Sequence, residues 1–483
     1  MLRNQQALSF SNYSGLYDII VPKDNKFRLL NELVDFSFIL DELKSKYCLD
    51  NGRMAEDPIR MFKYLLIKCI SGLSDVDVVD KCRYDMSYKY FLGLTPEGTV
   101  IESSTLCKFR RIRLKDTDLL NLLIDKTIEI AKEHGIKLSN RVIVDSTHSL
   151  ARSTPLIQTK ELKRHVQLLR KTALEFNPEL KDKLPENYEG DNLETEMDYV
   201  TKFIETIKTD PVYNTIPAVS EKTNLLEEIT EDIKDHYTIS VDPDARIGHK
   251  SKSSEFYGYK THLAVTPEQL IVAATVTSGE KHDGRELDKL ISKTKKNIPE
   301  LSEVIGDGAY SSLDNLRNAK KEGVTIVATL NKTLYSKKED HYTFNKDAGM
   351  AVCPAGHMAI KKSNVSRNEN TKENGGIIYF FDIGKCRVCK HNDLCGYKKG
   401  NETKTHKITK LEALQMKQLK YQGSENFKKK YKERYIVEAK NSDLKNNYGM
   451  SRADGYGLES FRMQGAISIF SSNMMRILRL LAK

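Results

Sequence analysis

Four side chains that could grip phosphates lie close together near the C-terminus. Within residues 431–445, Tyr431, Arg434, Glu438 and Lys445 occur at offsets of 0, 3, 7 and 14. In a helix each residue turns by about 100° and rises by about 1.5 Å, so the four fall within an arc of about 60° along about 21 Å. A phenol, two cations and a carboxylate on one stripe could hold a metal ion beside a run of phosphates. The alternative is a solvated helix face with ordinary ion pairs.

The same projection identifies residues that should lie away from the stripe. Glu433 and Lys440 point to roughly 200° and 180°, the opposite side of the helix. They are therefore expected to behave as neutral controls, although Lys440 carries the same charge as Lys445. The sequence Asn-Ser-Asp at 441–443 could also end the helix before Lys445.

Two aspartates follow short β-branched runs upstream. Asp145 comes after Val-Ile-Val, and Asp307 comes after Val-Ile-Gly. An acid in this setting is expected at or near the end of a buried strand, where side chains reach a ligand crevice. A cap or turn former is the alternative for each one alone. Two such acids, together with Glu438 beside two cations, favour metal binding.

Three carboxylates of this kind suit phosphodiester chemistry. Two Mg²⁺ ions about 3.5–4 Å apart can stabilise both the attacking and the leaving oxygen, and Mg²⁺ prefers a few carboxylates plus waters. Asp145, on the first strand, is the natural bridge between two ions. His282 and Asp283, after the third predicted strand, are candidates for supporting residues, although a helix start at Asp283 is the alternative.

The elements that would position these residues form a mixed α/β fold. Apolar residues at spacings of three and four predict helices through residues 26–135. Strands are then predicted within 137–147, 256–266, 270–278, 303–311 and 324–332, with helices at 283–297 and 312–323. The resulting order β, β, β, α, β, α, β is that of a mixed sheet, and helices resume near residue 408.

Changes in composition divide the chain into four regions: 1–135, 136–332, 333–405 and 406–483. Residues 156–240 are expected to be an acidic helical insertion. The stretch 151–240 holds 12 basic and 18 acidic residues, whereas 401–450 holds 12 basic and 6 acidic. The net charge of +10 is therefore distributed unevenly along the chain. Because the insertion is acidic, it is not expected to bind phosphates.

A short basic segment, residues 107–115, lies in the N-terminal helical region. Lys108, Arg110 and Arg111 could dock on DNA as in a helix-turn-helix. The alternative is a solvated basic face.

The eight cysteines divide evenly. Cys353, Cys386, Cys389 and Cys395 cluster in an irregular region and include one C-x2-C pair. Four thiolates would satisfy a structural Zn²⁺, and free thiols are the alternative. The other four, Cys48, Cys69, Cys82 and Cys107, are expected in the core.

The composition is that of a globular protein, with 39% hydrophobic and 30% charged residues. No uncharged apolar run approaches the roughly 18 residues of a membrane span. The first residues lack the apolar core of a secretory signal. We therefore expect a cytoplasmic protein that makes no use of a membrane.

Taken together, these motifs resemble the DDE transposases of bacterial insertion sequences. The pattern Tyr431-x2-Arg434-x3-Glu438-x6-Lys445 matches the Tyr–Arg–Glu–Lys (YREK) signature of one branch without a gap. "IVDST" around Asp145 and "VIGDGAY" around Asp307 match the two other acidic motifs. The similarity covers roughly residues 20–480, and it implies a ribonuclease H-like catalytic fold in 136–332 and 406–483, with a helical DNA-binding domain in 1–135.

The resemblance also implies roles. Asp145, Asp307 and Glu438 would hold two Mg²⁺ or Mn²⁺ ions. Arg434 and Lys445 would contact DNA phosphates, with Tyr431 near the same backbone. Proteins of this family often carry a similar group of cysteines at this place, which implies a structural rather than a catalytic role for the four cysteines.

The resemblance implies a transposase that cuts its element's ends and joins them to target DNA. Its partners would be double-stranded terminal inverted repeats and target DNA, bound by a homodimer. The alternatives are a DNA-binding regulator or catalytically silent relic on the same fold, and a nuclease without strand transfer. The presence of all three acids and both cations favours the transposase.

Overall fold

The computed structural model describes most of the chain. The described residues are 11–48, 51, 54–154, 158–186, 193–234, 242–251, 254–334, 341–366, 375–398 and 400–482. The first ten residues therefore lie outside the described part, as do residues 156–157, 187–192 and 235–240 of the predicted insertion.

The N-terminal region is helical, as the apolar spacing predicts. Its helices are α1 Leu16–Ile20, α2 Lys26–Leu33, α3 Ser37–Leu43, α4 Pro58–Ser71, α5 Asp75–Tyr84, α6 Met86–Leu92, α7 Ser103–Lys108 and α8 Leu119–Glu133, with a 3₁₀ turn at Lys44–Lys46 and a π-helical turn at Phe109–Arg113. Local chemistry sets their ends. In α4, Asp57 caps the N-terminus and Pro58 takes the first position, while Gly72 closes the helix with a left-handed backbone (φ 62°).

A six-stranded mixed sheet forms the centre of the molecule. Its strands are β1 Arg141–Leu150, β2 Arg246–Ser251, β3 Ser254–Val265, β4 Ile271–Ser278, β5 Glu303–Ile305 and β6 Thr325–Val327. The order is β2-β3-β1-β5-β6, with β4 also paired to β3. Strand β1 is antiparallel to β3 and parallel to β5, so it occupies the middle of the sheet. The mixed α/β fold is confirmed.

The sequence-based prediction of five strands missed β2. This strand has the sequence Arg-Ile-Gly-His-Lys-Ser and lies at an edge of the sheet. A polar edge strand lacks the β-branched run by which buried strands are recognised, and only pairing with β3 orders it.

The segment between β1 and β2 forms a separate group of helices. These are α9 Gln158–Phe176, α10 Leu193–Lys208, α11 Pro211–Thr215 and α12 Pro217–Lys234, with a 3₁₀ turn at Pro178–Asp182. Leu162, Val166, Phe203 and Leu226 belong to a hydrophobic cluster formed within this segment. The segment therefore buries its own apolar face.

The rest of the chain alternates with the sheet and then covers it. Helix α13 Leu287–Asn297 follows β4, and α14 Leu313–Lys321 follows β5, each preceded by a 3₁₀ turn, Asp283–Glu286 and Gly308–Tyr310. The cysteine-rich region was predicted to be irregular, which is wrong. It contains β7 Thr343–Asn345 paired with β8 Met350–Val352, and a sheet of β9 Lys361–Val365, β10 Gly376–Phe381 and β11 Lys404–Thr409. Two short helices, α15 Ile383–Arg387 and α16 Asn392–Cys395, lie between β10 and β11. Its strands are short and its turns polar, so periodicity alone did not reveal them.

The C-terminal helices join the sheet to the N-terminal region. They are α17 Ala413–Gln422, α18 Glu425–Tyr431, α19 Tyr435–Asn447 and α20 Leu458–Leu481, with a 3₁₀ turn at Lys432–Arg434. Helix α19 packs on β1, and α20 packs on α4, α8 and β4. Phe470 of α20 touches Phe62 of α4 at a ring distance of 6.1 Å. One continuous core therefore includes the N-terminal helices and one face of the sheet.

Among the described residues, no helix is long and apolar enough to cross a membrane. The cysteine expectation holds for Cys82, which is buried, and is wrong for Cys48 and Cys107, which are exposed.

Candidate active site

Asp145 lies in the interior of β1. The three residues before it are buried, and Asp145 itself pairs in register with Leu263 of β3. The strand continues to Leu150, so the expectation that Asp145 ends a strand is wrong. The residues that follow, Ser-Thr-His-Ser, look like a turn in sequence, but β3 pairs with each of them. Backbone pairing with a long neighbour thus extends β1 past its apolar run.

Asp307 lies one residue, Gly306, after the short strand β5, and it caps the next 3₁₀ turn. Its Oδ1 accepts a hydrogen bond from the Ala309 N–H at 2.9 Å. The residue is therefore a cap as well as a candidate ligand. Gly306 permits the close packing here, because a Cβ would lie 2.9 Å from Val144 Cγ2 and 2.7 Å from Tyr310 Cδ2.

A third acid, Asp283, accompanies these two. The 3₁₀ turn does begin at Asp283, as the alternative predicted, with His282 accepting from the Gly284 N–H at 3.2 Å. The Asp283 carboxylate nevertheless faces the sheet, where Lys260 Nζ lies 3.0 Å from its Oδ1. A Cβ at Gly284 would lie 2.3 Å from the Ala309 carbonyl. That close approach places the Asp283 turn against the Asp307 turn.

The charges at this point of the sheet are unbalanced. Burial raises the pKa of Asp145, the negative charges of Asp307 and Asp283 add to the rise, and the resulting pKa is about 6. The Ser146 backbone N–H and the Arg434 guanidinium oppose this rise in the pKa. A desolvated carboxylate beside two others favours either a proton or a metal cation. The three aspartates therefore form an anionic pocket.

Glu438 lies on α19 at the edge of this pocket. Its side chain is 59% exposed, and its Oε1 lies 3.5 Å from an Arg434 nitrogen. Arg434 also stands over the Tyr431 ring, 5.4 Å from the centroid. Tyr431 is fixed in turn by stacking on Phe427 at 5.3 Å. Arg434 therefore contacts two of the other three signature residues, Tyr431 and Glu438.

The fourth residue, Lys445, is in the same helix but has a different neighbour. Helix α19 continues to Asn447, so the sequence at 441–443 does not end it. Lys445 Nζ lies 3.3 Å from the His148 ring of β1. Burial lowers the pKa of the Lys445 ammonium, and the charge of Lys250 lowers it further. Lys445 thus reaches the strand that carries Asp145.

Both predicted control residues, Glu433 and Lys440, make contacts within the fold. The 3₁₀ turn at Lys432–Arg434 interrupts the assumed 100° spacing, yet Lys440 does lie away from the signature residues. It is only 5% exposed, and it donates to Ser472 Oγ on α20 at 2.9 Å. Glu433 pairs with Arg141 at 3.3 Å. Both residues hold α19 or its start in place.

Asn441 is a site residue that the sequence reasoning missed. Its Nδ2 donates to Asp145 Oδ2 at 2.9 Å, and the residue is 9% exposed. Among the described residues, this bond is the only hydrogen bond between α19 and one of the three aspartates. The helical projection held a signal for it, because an offset of ten residues from Tyr431 points to about 280°, next to the signature arc.

The donor set suits a hard cation such as Mg²⁺ or Mn²⁺. Carboxylate oxygens are the ligands such ions prefer, and Asp145, Asp307 and Asp283 supply them from partly buried positions. Within the described ranges, however, no three His, Cys, Asp or Glu side chains are gathered closely enough to hold an ion. Glu438 remains at the solvent edge, so its side chain must turn inward to join such a set.

The cysteine cluster is a second, separate candidate. Its four cysteines line one small cavity, together with His357 and His391. All four are free thiols. Cys389 Sγ accepts the His391 N–H at 3.3 Å, a backbone bond that would stabilise a thiolate. Burial raises the pKa of the Cys386 thiol, and the three other cysteines raise it further. The cluster is close, but not gathered to ligand distance in the described residues.

The basic segment of the N-terminal region is divided between two roles. Lys108 and Arg111 are exposed. Arg110 forms a two-pronged ion pair with Asp75, with one contact at 3.0 Å. The positive charge of Arg110, which was expected to contact DNA, is therefore largely neutralised by Asp75.

Two family models match the chain. Residues 16–111 match the family described as Transposase domain (DUF772), and residues 215–474 match the family described as Transposase DDE domain. No curated protein matches the chain. The second match spans more than half of the chain and includes Asp307 and Glu438. It begins within the helical insertion, after Asp145, so Asp145 lies outside the matched range.

Proposed function

The chain belongs to the family of transposases with a DDE domain, and its function is DNA transposition; from this premise we propose that Asp145, Asp307 and Glu438 are its three catalytic acids. The family implies a nuclease and DNA strand transferase that uses divalent metal. The observation that supports the assignment most is the contact between α19, the helix that carries Glu438, and Asp145, whose Oδ2 accepts a hydrogen bond from Asn441 Nδ2 at 2.9 Å.

The three acids would hold two Mg²⁺ or Mn²⁺ ions. When bound, such ions stabilise the attacking and leaving oxygens of a phosphodiester displacement. Asp145 would be a ligand of this set, and the position of its strand β1 between β3 and β5 and against α19 supports that role. Asn441 orients the Asp145 carboxylate, and Asp283 keeps Lys260 beside the pocket.

The cations of α19 would position the DNA backbone. Arg434 is half-buried between Tyr431 and Glu438, and Lys445 lies beside β1. Guanidinium and ammonium groups in such fixed positions suit phosphate oxygens, which set register without reading sequence. The signature is that of the YREK branch, which neither family match distinguishes from others.

The regions of the chain would divide the work. Residues 1–135 would bind the terminal repeats, with Lys108 and Arg111 as phosphate contacts and Arg110 as a structural partner of Asp75. Residues 136–332 and 406–483 would form the ribonuclease H-like catalytic part, and 333–405 a cysteine-stapled insert with one Zn²⁺. A homodimer would hold the two double-stranded ends and the target DNA together.

The test uses the full-length protein and linear DNA carrying the sequences that flank its gene. In Mg²⁺, wild type should cut the 3′ ends and join them to a target duplex. Asp145→Asn, Asp307→Asn and Glu438→Gln should each lose cutting and joining while retaining end binding, because each removes a metal ligand. A variant that cuts at the wild-type rate removes that residue from the site.

Two other outcomes would point to other activities. Cutting without joining of pre-cut ends would indicate a nuclease. Binding without either reaction, in wild type, would indicate a regulator or a silent relic.

A further inference from the structure

Lys445 is held by a histidine rather than by a carboxylate. Its Nζ lies 3.3 Å from Nε2 and 3.4 Å from Nδ1 of the His148 ring. Among the described residues, no Asp or Glu side chain lies within ion-pair distance of this ammonium. The proposal above assigns Lys445 to a DNA phosphate, but it gives His148 no role.

Other lysines of the C-terminal helices have carboxylate partners. Lys428 Nζ lies 2.7 Å from Glu425 Oε1, and Lys440 Nζ lies 3.7 Å from Asp443 Oδ2. An ion pair restrains a side chain, but the carboxylate also cancels much of the attraction that the cation would exert on a phosphate. A partner without charge restrains Lys445 and leaves this attraction intact.

The His148 imidazole is such a partner at neutral pH. Burial lowers its pKa, the positive charges of Lys445, Lys250 and Lys260 add to the fall, and the resulting pKa is about 4. A neutral imidazole carries one nitrogen with a free lone pair, which can accept a hydrogen bond from an ammonium group. The ring is therefore an acceptor for Lys445 and does not neutralise it.

The position of the His148 ring is fixed by β1 and by one aromatic contact. His148 lies beyond the apolar run of β1, where β3 pairs it in register with Lys260. The centroid of its ring lies 5.0 Å from that of Phe256, and the two rings are tilted by 41°. Phe256 is buried, so the imidazole packs against a fixed wall. Lys445 therefore has an acceptor at a defined place.

Helix α19 contacts β1 at two points. Asn441 and Lys445 are four residues apart and therefore lie on the same side of the helix. Asn441 donates to Asp145, and Lys445 contacts His148, which is three residues further along the strand. The ammonium group is thus held a short distance along β1 from a candidate catalytic acid.

We propose that His148 is a positioning residue, which holds the Lys445 ammonium for a DNA phosphate beside the catalytic acids without neutralising its charge. The inference rests on the proposed phosphate contact of Lys445. It requires an uncharged hydrogen-bond acceptor at position 148. An apolar residue there would leave Lys445 unrestrained, and a carboxylate would cancel its charge.

The experiment compares three substitutions of His148 in the full chain. His148→Phe keeps an aromatic ring beside Phe256 but removes the acceptor, His148→Gln keeps an uncharged acceptor, and His148→Glu supplies a carboxylate. His249→Phe is the control, since His249 is exposed on β2 and its partner is Glu255. Affinity for linear DNA carrying the element's end is measured against salt concentration. Divalent metal is left out, so that an added charge cannot act through metal binding.

Each substitution has a different expected result. His148→Phe should weaken end binding about two- to tenfold, which is the cost of ordering one flexible side chain on binding. Its salt slope should equal that of wild type, because the charge of Lys445 remains. His148→Gln should recover most of the lost affinity. His148→Glu should reduce the salt slope by roughly one, as Lys445→Ala does, and His249→Phe should bind like wild type.

A double variant shows whether the two residues act together. If His148 acts through Lys445, adding His148→Phe to Lys445→Ala costs no further affinity. Melting temperatures establish that each variant is folded. If His148→Phe does not fold, His148→Ala takes its place with the same expected results.

Three results would overturn the inference and leave the proposed function intact. The first is wild-type binding by His148→Phe when Lys445→Ala binds weakly. The second is a double variant in which the two losses add. The third is a His148→Gln protein that binds no better than His148→Phe. Wild-type binding by Lys445→Ala is a separate outcome, which would remove the proposed phosphate contact and the inference with it.

Discussion

Lys440 and Asn441 are adjacent in α19, but their side chains, about 100° apart around the helix, contact different elements. Asn441 reaches Asp145 on the sheet, and Lys440 is buried against Ser472 of α20. A residue's place on the helix therefore decides whether its loss affects chemistry or folding. The matched variants below separate the two effects.

Asn441→Ala should weaken the hold on Asp145. The variant loses a hydrogen bond to a carboxylate that burial already disfavours, so the metal ligand is less well oriented. Cleavage should fall about tenfold, with a higher half-saturating metal concentration, while end binding stays unchanged. Asn446→Ala is the control, since Asn446 is exposed on the same helix and bonds only locally, to Ser442. Equal cleavage by Asn441→Ala and wild type would show that Asp145 needs no such restraint.

Lys445→Ala should weaken end binding and reduce its salt slope by roughly one, because one phosphate contact is lost. The loss should be similar for all base sequences. Lys432→Ala is the control, as Lys432 is exposed at the start of the same helical segment. The measurement is the affinity of both variants for the DNA ends as a function of salt concentration. An equal loss from both would make this segment a generally basic surface.

Lys440→Ala should destabilise the protein instead. The variant removes a buried side chain and leaves Ser472 Oγ and the nearby Asp443 carboxylate with fewer partners. The free energy of unfolding should drop by about 2 kcal/mol, measured by denaturant titration, with DNA affinity of the folded protein retained. A stable variant with reduced DNA binding would place Lys440 at the DNA after all.

At the scale of elements, short turns bring distant acids together. The 3₁₀ turns beginning at Asp283 and Gly308 pack on each other, and Gly284 permits their approach because a Cβ there would collide with the Ala309 carbonyl. Helix α19, which belongs to the C-terminal part of the chain, packs on β1. The cysteine-rich insert is another case in which short elements converge. One thiol directly follows β8, one lies in α15, one lies in α16, and one lies in the connection between these two helices.

The cysteine cluster should hold about one Zn²⁺ per chain, the ion that four thiolates in a tetrahedral set favour. Replacing Cys386 and Cys389 by Ser should remove the metal and lower the melting temperature. Elemental analysis of freshly reduced protein measures the content. Cys48→Ser with Cys107→Ser, at two exposed positions, should leave it unchanged. Wild-type protein without zinc would contradict the prediction.

On the scale of the whole molecule, the acidic helices between β1 and β2 are an insertion whose described residues contribute no strand to the sheet. Gly258 of β3 pairs with Leu150 at the end of β1 on one side and with Arg246 at the start of β2 on the other. Two strand spacings separate these partners, which is roughly 10 Å. The insertion begins and ends near the same point of the sheet, and it has its own core.

Replacing residues 156–240 by about four glycine and serine residues, which span about 13 Å when extended, should therefore leave the sheet folded. Asp242 must be kept, because its Oδ1 accepts from Tyr259 Oη at 2.6 Å and from the Gly457 N–H. Circular dichroism and melting should show loss of helix with a cooperative transition retained. Metal-dependent stabilisation should persist, since no acid of the pocket is removed. A deletion protein that does not fold would show that the insertion belongs to the core.

The sequence alone determined those features that depend on local spacing. The offsets from Tyr431 to Lys445, the β-branched runs before Asp145 and Asp307, the apolar period of the N-terminal helices and the charge of the insertion are all properties of neighbouring residues. Helix and strand periodicity expresses them directly. They were sufficient for the family, the mixed sheet and the transposase function.

Tertiary structure decided what depends on contacts across the chain. Asn441 and Asp145 are 296 residues apart in sequence, and the burial that raises the pKa of Asp145 comes from several elements packed around it. The edge strand β2 forms because β3 supplies its hydrogen bonds, and β1 extends beyond its apolar run for the same reason. Lys440 became structural because α20 covers it. Such contacts have no period in the sequence, since packing and backbone pairing create them only when the chain is folded.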